Sequence, residues 1–340
     1  KKLLFLFIGL IFSSIISFYS TGNFKPVYVY GALIMLFLSG DIIGKNVGDT
    51  DQFIIHIGIG ISLLGLLIII LSFIDVIFGN TSFSFNRFKG FFTNSNNMGT
   101  FSAGVIHLVL GCVFAYYNKL SKSKKFFFFS VLFLNILLLL ASSSRSALLS
   151  VMVVLLAMII TSTKDAFQLS HSIIYISTKK LRRAKNIFLL IIICSLILYY
   201  YGFFDIFYEK FFFKKGLPVT DISGGRIQFW KFSLENWKWF GHENIKEITY
   251  SLNFKAFGHS TWIQHLNSYG LISSIFFFSW IILMLIWSFK KNLDSAKVLF
   301  FTLLGYSINA TFEEMTSTPG LIISILLFSI AYGINKSLNK

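Results

Sequence analysis

Ten long apolar stretches leave this chain of 340 residues few folds to choose from. They run over Leu3–Tyr19, Pro26–Gly40, Phe53–Phe78, Met98–Tyr117, Phe126–Ala141, Ala147–Ser162, Ile187–Tyr201, His265–Phe289, Ala296–Ala310 and Pro319–Asn335. Crossing roughly 30 Å of hydrocarbon takes about 20 mostly apolar residues, so the shorter stretches imply tilt or longer helices than hydropathy marks. In lipid the main-chain N–H and C=O groups find no water. Helices satisfy them internally, and no alternating strand pattern offers a barrel instead. The expected fold is an all-α polytopic membrane protein of about ten transmembrane helices, one integral membrane domain over residues 1–340. Composition agrees, with 55% hydrophobic and only 13% charged residues and a mean hydropathy of +0.73.

The net charge of +16 invites a nucleic-acid reading, but most lysines fall in short loops between apolar stretches. Placing Lys1 and Lys2 inside puts eighteen Lys and Arg in the inner segments against four, Lys25, Arg87, Lys89 and Arg145, in the short outer ones. That is the positive-inside asymmetry, and the inverted topology destroys it. The inner loop Asp41–Gln52 fits least well, with three acids against one lysine, although acids carry little weight in the rule. One outer segment, residues 202–258 between predicted helices 7 and 8, is far longer than the rest. Long loops translocate largely regardless of charge, so its eight basic and six acidic residues leave the orientation intact. Inside this extracytoplasmic loop Ile227, Trp230, Leu234 and Trp237 recur at helical spacing. They mark an amphipathic helix that either lies at the outer interface or caps the bundle. Leu3–Tyr19 could imitate a signal peptide, but no small-residue cleavage pattern follows, so it reads as a first helix. Cys112 and Cys194 lie in separate apolar stretches and read as packing residues.

Lysine supplies most of the positive charge, and the chain has only five arginines, three of them in the outer segments. Arg145 stands in Ser142-Ser143-Ser144-Arg145-Ser146 between two apolar stretches with almost no loop. A guanidinium so close to hydrocarbon either meets an anion, which its fork binds bidentately, or snorkels to the headgroups. Arg226 follows Gly224-Gly225 and opens the amphipathic segment, where glycine main chain and a helix start both favour an anion. Arg87, in Asn86-Arg87-Phe88-Lys89-Gly90, reads equally as a headgroup anchor and as a ligand contact. His259 closes the long loop and is the candidate base, since a histidine near neutral pKa can take a proton from a sugar hydroxyl. His242, in Gly241-His242-Glu243, is its main competitor. His56 and His107 fall within helices, His171 is cytoplasmic, and His265 is buried a turn or more beyond His259. Several absences narrow the choice further. No Walker loop supports ATP-driven pumping, the first outer loop Ser20–Lys25 has no acidic pair for metal-dependent transfer, and no metal cluster is visible.

In order along residues 80 to 335, four pieces resemble the superfamily of O-antigen ligases and Wzy-type O-antigen and capsular polysaccharide polymerases. Asn94-Ser95-Asn96 within Phe91–Gly99 resembles its Asn-x-Asn helix opening. Ser144-Arg145-Ser146-Ala147-Leu148 resembles its Ser-Arg-Gly/Ser-Ala-Leu turn. Gly225-Arg226 followed by Trp230 resembles the arginine and tryptophan heading its large periplasmic loop, and His259-Ser260-Thr261-Trp262 leading to Gly270-Leu271-Ile272 resembles the segment closing it. Ser260 replaces the usual asparagine, and Trp239-Phe240-Gly241-His242-Glu243 stands where Gly-x-Gly is common. Members often have more than ten spans, so a missing amino-terminal helix is allowed for.

The resemblance implies a glycosyltransferase that needs neither metal nor cofactor. It would move a glycan from an undecaprenyl-diphosphate-linked oligosaccharide to a lipid-linked sugar acceptor, at the outward face of the bacterial inner membrane. Preorganised arginines can stabilise the leaving diphosphate. That gives Arg145 and Arg226 the donor diphosphate, with Arg87 as a third contact and His259 as the base. Glu313 and Glu314 would orient the base or bind sugar hydroxyls, unless they are simply solvated loop carboxylates. Expected partners are membrane lipid, a flippase and a chain-length regulator, and no nucleic acid. The rival readings are an O-antigen ligase acting on lipid A core, a lipid-linked oligosaccharide flippase or other transporter, and a peptidoglycan-type polymerase using Asp205 or Asp221.

Overall fold

The computed structural model describes residues 2–22, 24–46, 49–78, 83–84, 87–92, 94–170, 226–242, 260–291 and 293–313, together with 325, 329 and 332; at a few of these, Arg87 and Arg226 included, it describes main chain alone. The elements are α1 (Lys2–Thr21), α2 (Lys25–Asn46), α3 (Thr50–Ile77), β1 (Phe83–Ser84), β2 (Arg87–Phe88), α4 (Ser95–Tyr116), α5 (Lys122–Ser142), α6 (Arg145–Ser170), α7 (Arg226–Glu235), α8 (Thr261–Lys290) and α9 (Asp294–Phe312). The two short strands pair antiparallel, Phe83 opposite Phe88, and everything else regular among the described residues is helix. Six helices, α2 to α6 and α8, are long and apolar enough to cross a bilayer, so the chain is a multi-pass membrane protein. The predicted spans Ile187–Tyr201 and most of Pro319–Asn335, and the long loop outside Arg226–His242, lie outside the described residues.

Helices outrun the apolar stretches that announce them, because their ends are held by polar groups. The side chain of Asp49 caps α3 at the Gln52 N–H, Asn94 caps α4 at the Asn97 N–H, and Ser121 caps α5 at the Lys124 N–H. Two compact units divide the chain: Lys1–Val154 with Gly225–Lys340, and Leu155–Gly224, whose described part is the continuation of α6.

Within the first unit α4 is the central helix and packs on α3, α5 and α9, while α8 packs on α1 and α9. Where helices come closest, glycine makes the room that lipid-embedded packing needs. A Cβ on Gly111 would lie 3.2 Å from the Val298 main chain, and one on Gly305 would lie 2.3 Å from the His107 ring. His107 in turn donates from Nε2 to Ser150 Oγ at 3.2 Å, since that hydroxyl donates to the Ala147 carbonyl. His265 is fully buried, as the sequence implied, stacked on Phe277 at 4.2 Å with its Nδ1 bonded to the Tyr30 hydroxyl at 2.9 Å. Ile325, Ser329 and Tyr332 fall at helical spacing and pack inward, Tyr332 against Phe37 and Trp287. The outward faces carry exposed Phe12, Ile70 and Phe133, as a lipid-facing surface requires. At one end of the bundle Lys119 joins Asp51 at 2.5 Å and Asp294 at 2.9 Å, tying the starts of α3 and α9 to the α4–α5 turn.

One span is not the continuous helix its hydropathy predicts. At Gly270 the α8 backbone turns to φ 85°, ψ 170°, a conformation essentially restricted to glycine. The break strands polar groups of the main chain, and the segment after α7 takes them up. Leu271 N–H donates to the Lys238 carbonyl at 3.0 Å, Ile272 N–H to Trp239 at 3.4 Å, and His242 N–H to the Asn267 carbonyl at 2.9 Å. Ser17 of α1 closes the arrangement, donating from Oγ to the Phe240 carbonyl at 2.6 Å. Unpaired main-chain groups buried in a helix bundle cost several kcal/mol, so the break and the segment 238–242 inserted at it belong together.

Candidate functional site

At the bundle end opposite Lys119, the start of α4, the α5–α6 turn, the start of α8 and the end of α9 meet around Glu313. Its carboxylate Oε1 accepts from Asn96 Nδ2 at 3.2 Å and from Ser146 Oγ at 3.3 Å. Its main-chain carbonyl accepts from the Thr261 N–H at 3.2 Å and the Thr261 hydroxyl at 2.9 Å. The first N–H groups of α8 have no intrahelical acceptor, and Ser260 at the N-cap makes no capping bond with its side chain, so Glu313 serves as the cap. Trp262 Nε1 donates to Thr311 Oγ1 at 3.0 Å, a second tie between α8 and α9. Glu313 is 8% exposed, which corrects its reading as a solvated loop carboxylate: two donors and a role in capping α8 offset its burial.

The α5–α6 turn is only two residues long. Ser143 takes the left-handed conformation at φ 53° and donates its N–H to Leu140, while Ser142 Oγ donates to Leu139. Ser142, Ser143, Ser144 and Ser146 are all buried, and Ser144 and Ser146 hydroxyls lie 3.4 Å apart. Gly99 makes this possible, because a Cβ there would sit 2.3 Å from Ser144 Cβ and 2.7 Å from Ser142 Oγ. Arg145 opens α6 and is half-buried between Ser144 and Ser146, so an arginine and the positive end of a helix coincide next to Ser146, which bonds Glu313.

The main chains of the other two outer arginine positions come to the same end. Arg87 precedes Phe88, which packs with Ile69, Met98 and Leu138 below the α4 start. Arg226 begins α7 one turn before Trp230, whose ring lies 6.1 Å from Phe312, the neighbour of Glu313. Of the α7 stripe, Ile227, Leu234 and Trp237 stay exposed. Phe229 and Ser233 form the buried face, and Ser233 Oγ accepts from Asn267 Nδ2 of α8 at 2.8 Å. His259 and Glu314 lie outside the described residues. His242 belongs to the strand inserted at Gly270: it is buried and donates from Nε2 to the Asn236 carbonyl at 2.8 Å. Burial, chiefly, lowers its pKa from the usual histidine value, so it stands there as a neutral clasp. Among the described residues no three His, Cys, Asp or Glu side chains form a group that could hold a metal ion.

Sequence reasoning marked Glu313 but not its position. A signal was available: Glu313 and Glu314 stand just past an apolar stretch, with no cation anywhere in Thr311–Thr318 to partner them. Comparison with protein-family models, curated proteins and solved structures finds no match to this chain.

Proposed function

We propose that the chain is a polysaccharide repeat-unit polymerase of the Wzy type, transferring a glycan from a polyprenyl diphosphate donor to a lipid-linked sugar acceptor. The observation that carries this reading is the meeting at Glu313. Asn96, Ser146 and Thr261 belong to three of the segments that carried the resemblance, and they are far apart in sequence yet bonded to one residue. The fourth, at Arg226, opens a helix that packs on α8 beside them. In this reading Arg145 and Arg226 hold the donor diphosphate, with Arg87 as a third contact. Charge builds on that diphosphate as the glycosidic bond breaks, and guanidinium forks already in place would stabilise it without solvent reorganisation. His259 takes the proton of the acceptor hydroxyl, whose oxygen attacks the anomeric carbon from the face opposite the departing diphosphate. Glu313 is the positioning residue: it fixes the Arg145 turn against the start of α8, two residues beyond His259. The site faces outward across the bacterial inner membrane, where the lipid-linked donor and acceptor, a flippase and a chain-length regulator would meet it.

The test replaces Arg145 with Lys, Arg226 with Lys, His259 with Ala and Glu313 with Gln, and follows polymer ladders in cells at matched protein abundance. Loss of about tenfold or more in each, with lysine failing because it lacks the bidentate fork, is expected. Full-length ladders from both Arg145→Lys and His259→Ala would end the proposal. One observation favours transport instead: spans broken at membrane depth line substrate paths in transporters, and α8 is broken at Gly270. Protein in detergent separates the readings, because a polymerase consumes labelled donor with no membrane to cross and a transporter leaves it intact. Transfer onto lipid A core in the same assay would identify a ligase.

A further inference from the structure

Beside the inserted strand is a cleft of about 390 Å³ lined by Ser20 and Thr21 at the end of α1 and by Trp237, Lys238, Trp239, Phe240 and Gly241. We propose that this cleft is a glycan-holding subsite, separate from the Glu313 cluster, in which the Trp237 and Trp239 rings grip a sugar of the chain being extended.

The two indole rings lie 5.1 Å apart at 86°, forming an open corner, and remain 40% and 57% exposed. A pyranose presents one face of C–H groups and a rim of hydroxyls. The C–H face carries partial positive charge and suits the negative face of an indole, while the rim needs hydrogen-bond partners. The residue types lining the cleft carry both chemistries, two indoles for the C–H face and Lys238, Ser20 and Thr21 for the hydroxyl rim, although the Thr21 hydroxyl already donates to the Ser17 carbonyl and keeps only its acceptor side. Among the described residues the exposed hydrophobics elsewhere are mostly Phe, Ile and Leu, such as Phe12, Ile70 and Phe133, although Tyr19 and Tyr28 are exposed as well. A volume of 390 Å³ falls in the range of small-molecule sites, roughly 300–1,000 Å³. The floor is rigid before any ligand arrives. Residues 238, 239 and 242 are bonded through their main chains to α8, and Ser17 holds Phe240. A Cβ on Gly241 would meet the Ser268 carbonyl at 2.6 Å, so the strand cannot come closer to α8 with any larger residue there. Such preorganisation spares a ligand the cost of ordering its site.

None of the residues lining the cleft belongs to the Glu313 cluster. Gly270, against which Trp239, Phe240 and Gly241 pack, lies nine residues along α8 from Thr261, or about two and a half turns and roughly 13 Å. It is therefore offset along α8 from the Glu313 cluster. A holding site so placed acts on how long a chain is retained rather than on bond making. Its biological role rests on the polymerase reading; sugar binding itself does not.

The experiment uses the full chain purified in detergent and, as probe, repeat-unit oligosaccharides released by mild acid from the surface polysaccharide of the producing cell. Binding is followed by calorimetry and by tryptophan emission. Saturable binding is expected, weakened roughly three- to tenfold by Trp237→Ala and by Trp239→Ala, and largely kept by Trp239→Phe, which preserves a stacking face. Both positions are exposed, so equal thermal stability of the variants checks that folding is intact. No saturation with the probe, or equal affinity in wild type and both alanine variants, overturns the proposal and leaves the two indoles as headgroup anchors. Donor turnover in the same preparations separates the two claims. Turnover without sugar binding sinks the subsite alone, and sugar binding without turnover sinks the polymerase reading alone.

Discussion

Replacing Gly270 with Ala would release the strand that fills the break in α8. The residue sits at φ 85°, ψ 170°, where an L side chain costs about 1–3 kcal/mol. The new Cβ would also lie 2.3 Å from the Trp239 carbonyl oxygen, 2.5 Å from Phe240 Cα and 2.6 Å from Gly241 N. All three are main-chain atoms, so no side-chain rotation relieves the overlap. Two outcomes are open to the helix, and both expel the strand. Either the break persists and residues 238–242 move off, or α8 closes into a continuous helix in which Leu271 N–H bonds to the Asn267 carbonyl, displacing His242. The strand then loses its three main-chain bonds to α8, each worth about 1 kcal/mol net. With strain added, the loss is about 4–6 kcal/mol, and at about 1.4 kcal/mol per decade that is a factor of roughly 10³ to 10⁴ in local opening. Hydrogen exchange at the His242 amide, and tryptic cleavage after Lys238, should accelerate by at least the lower figure in detergent-solubilised protein. Gly60→Ala is the control. Nothing lies within 4 Å of its would-be Cβ, and as a helical position it should be neutral or up to about 1 kcal/mol more stable. Unchanged exchange and cleavage in Gly270→Ala would show that the strand is not held by the break.

Three further outcomes follow from described contacts. Lys119→Met removes the cation shared by Asp51 and Asp294; because the ammonium is half exposed and screened, the cost should be about 0.5–1 kcal/mol of unfolding free energy. Hydrogen bonds donated by Lys119 to Asp51 first and to Asp294 second raise its pKa, so its contribution is complete at neutral pH and fades as pH climbs beyond the ordinary lysine value; a wild-type-to-mutant gap constant from pH 7 to about 11 would refute this. His242 has the opposite sign, its pKa lowered chiefly by burial, so the clasp is stable above the ordinary histidine value of about 6.5 and loosens as pH falls below it. Tryptic release after Lys238 should therefore rise on acidification in wild type and stay flat in His242→Gln. Gly305→Ala should destabilise by about 1–3 kcal/mol through its overlap with the His107 ring, and His107→Ala in the same chain should recover part of that loss.

Hydropathy made the helices α1 to α6, α8 and α9 legible in the sequence, because apolar length is a property of the segment itself. Helix ends were less legible, since they depend on caps such as Asn94 and on the loan of the Glu313 carbonyl to Thr261. The Asn94 helix opening and the buried Arg145 turn were both readable as motifs. The contact that joins them was not, because it runs through a glutamate in a polar run that resembles any solvated loop. The break at Gly270 was hidden for a related reason. A glycine among apolar residues often only lets helices approach, and here its meaning lies in the carbonyls of Lys238 and Trp239, which local patterning does not reveal. The α7 stripe located a helix; its Ile227, Leu234 and Trp237 stay exposed, while the face that packs on the bundle carries Phe229 and Ser233, which periodicity did not mark.

Glu313 also sets a timetable. Synthesis delivers Asn96 and Ser146 to the membrane well before residue 313 leaves the ribosome, and helices form as they emerge. Until that late residue arrives, the arginine turn has no carboxylate across from Asn96 and α8 has no cap. A chain halted anywhere short of it would insert most of its spans and still lack the residue that ties the α5–α6 turn to the start of α8.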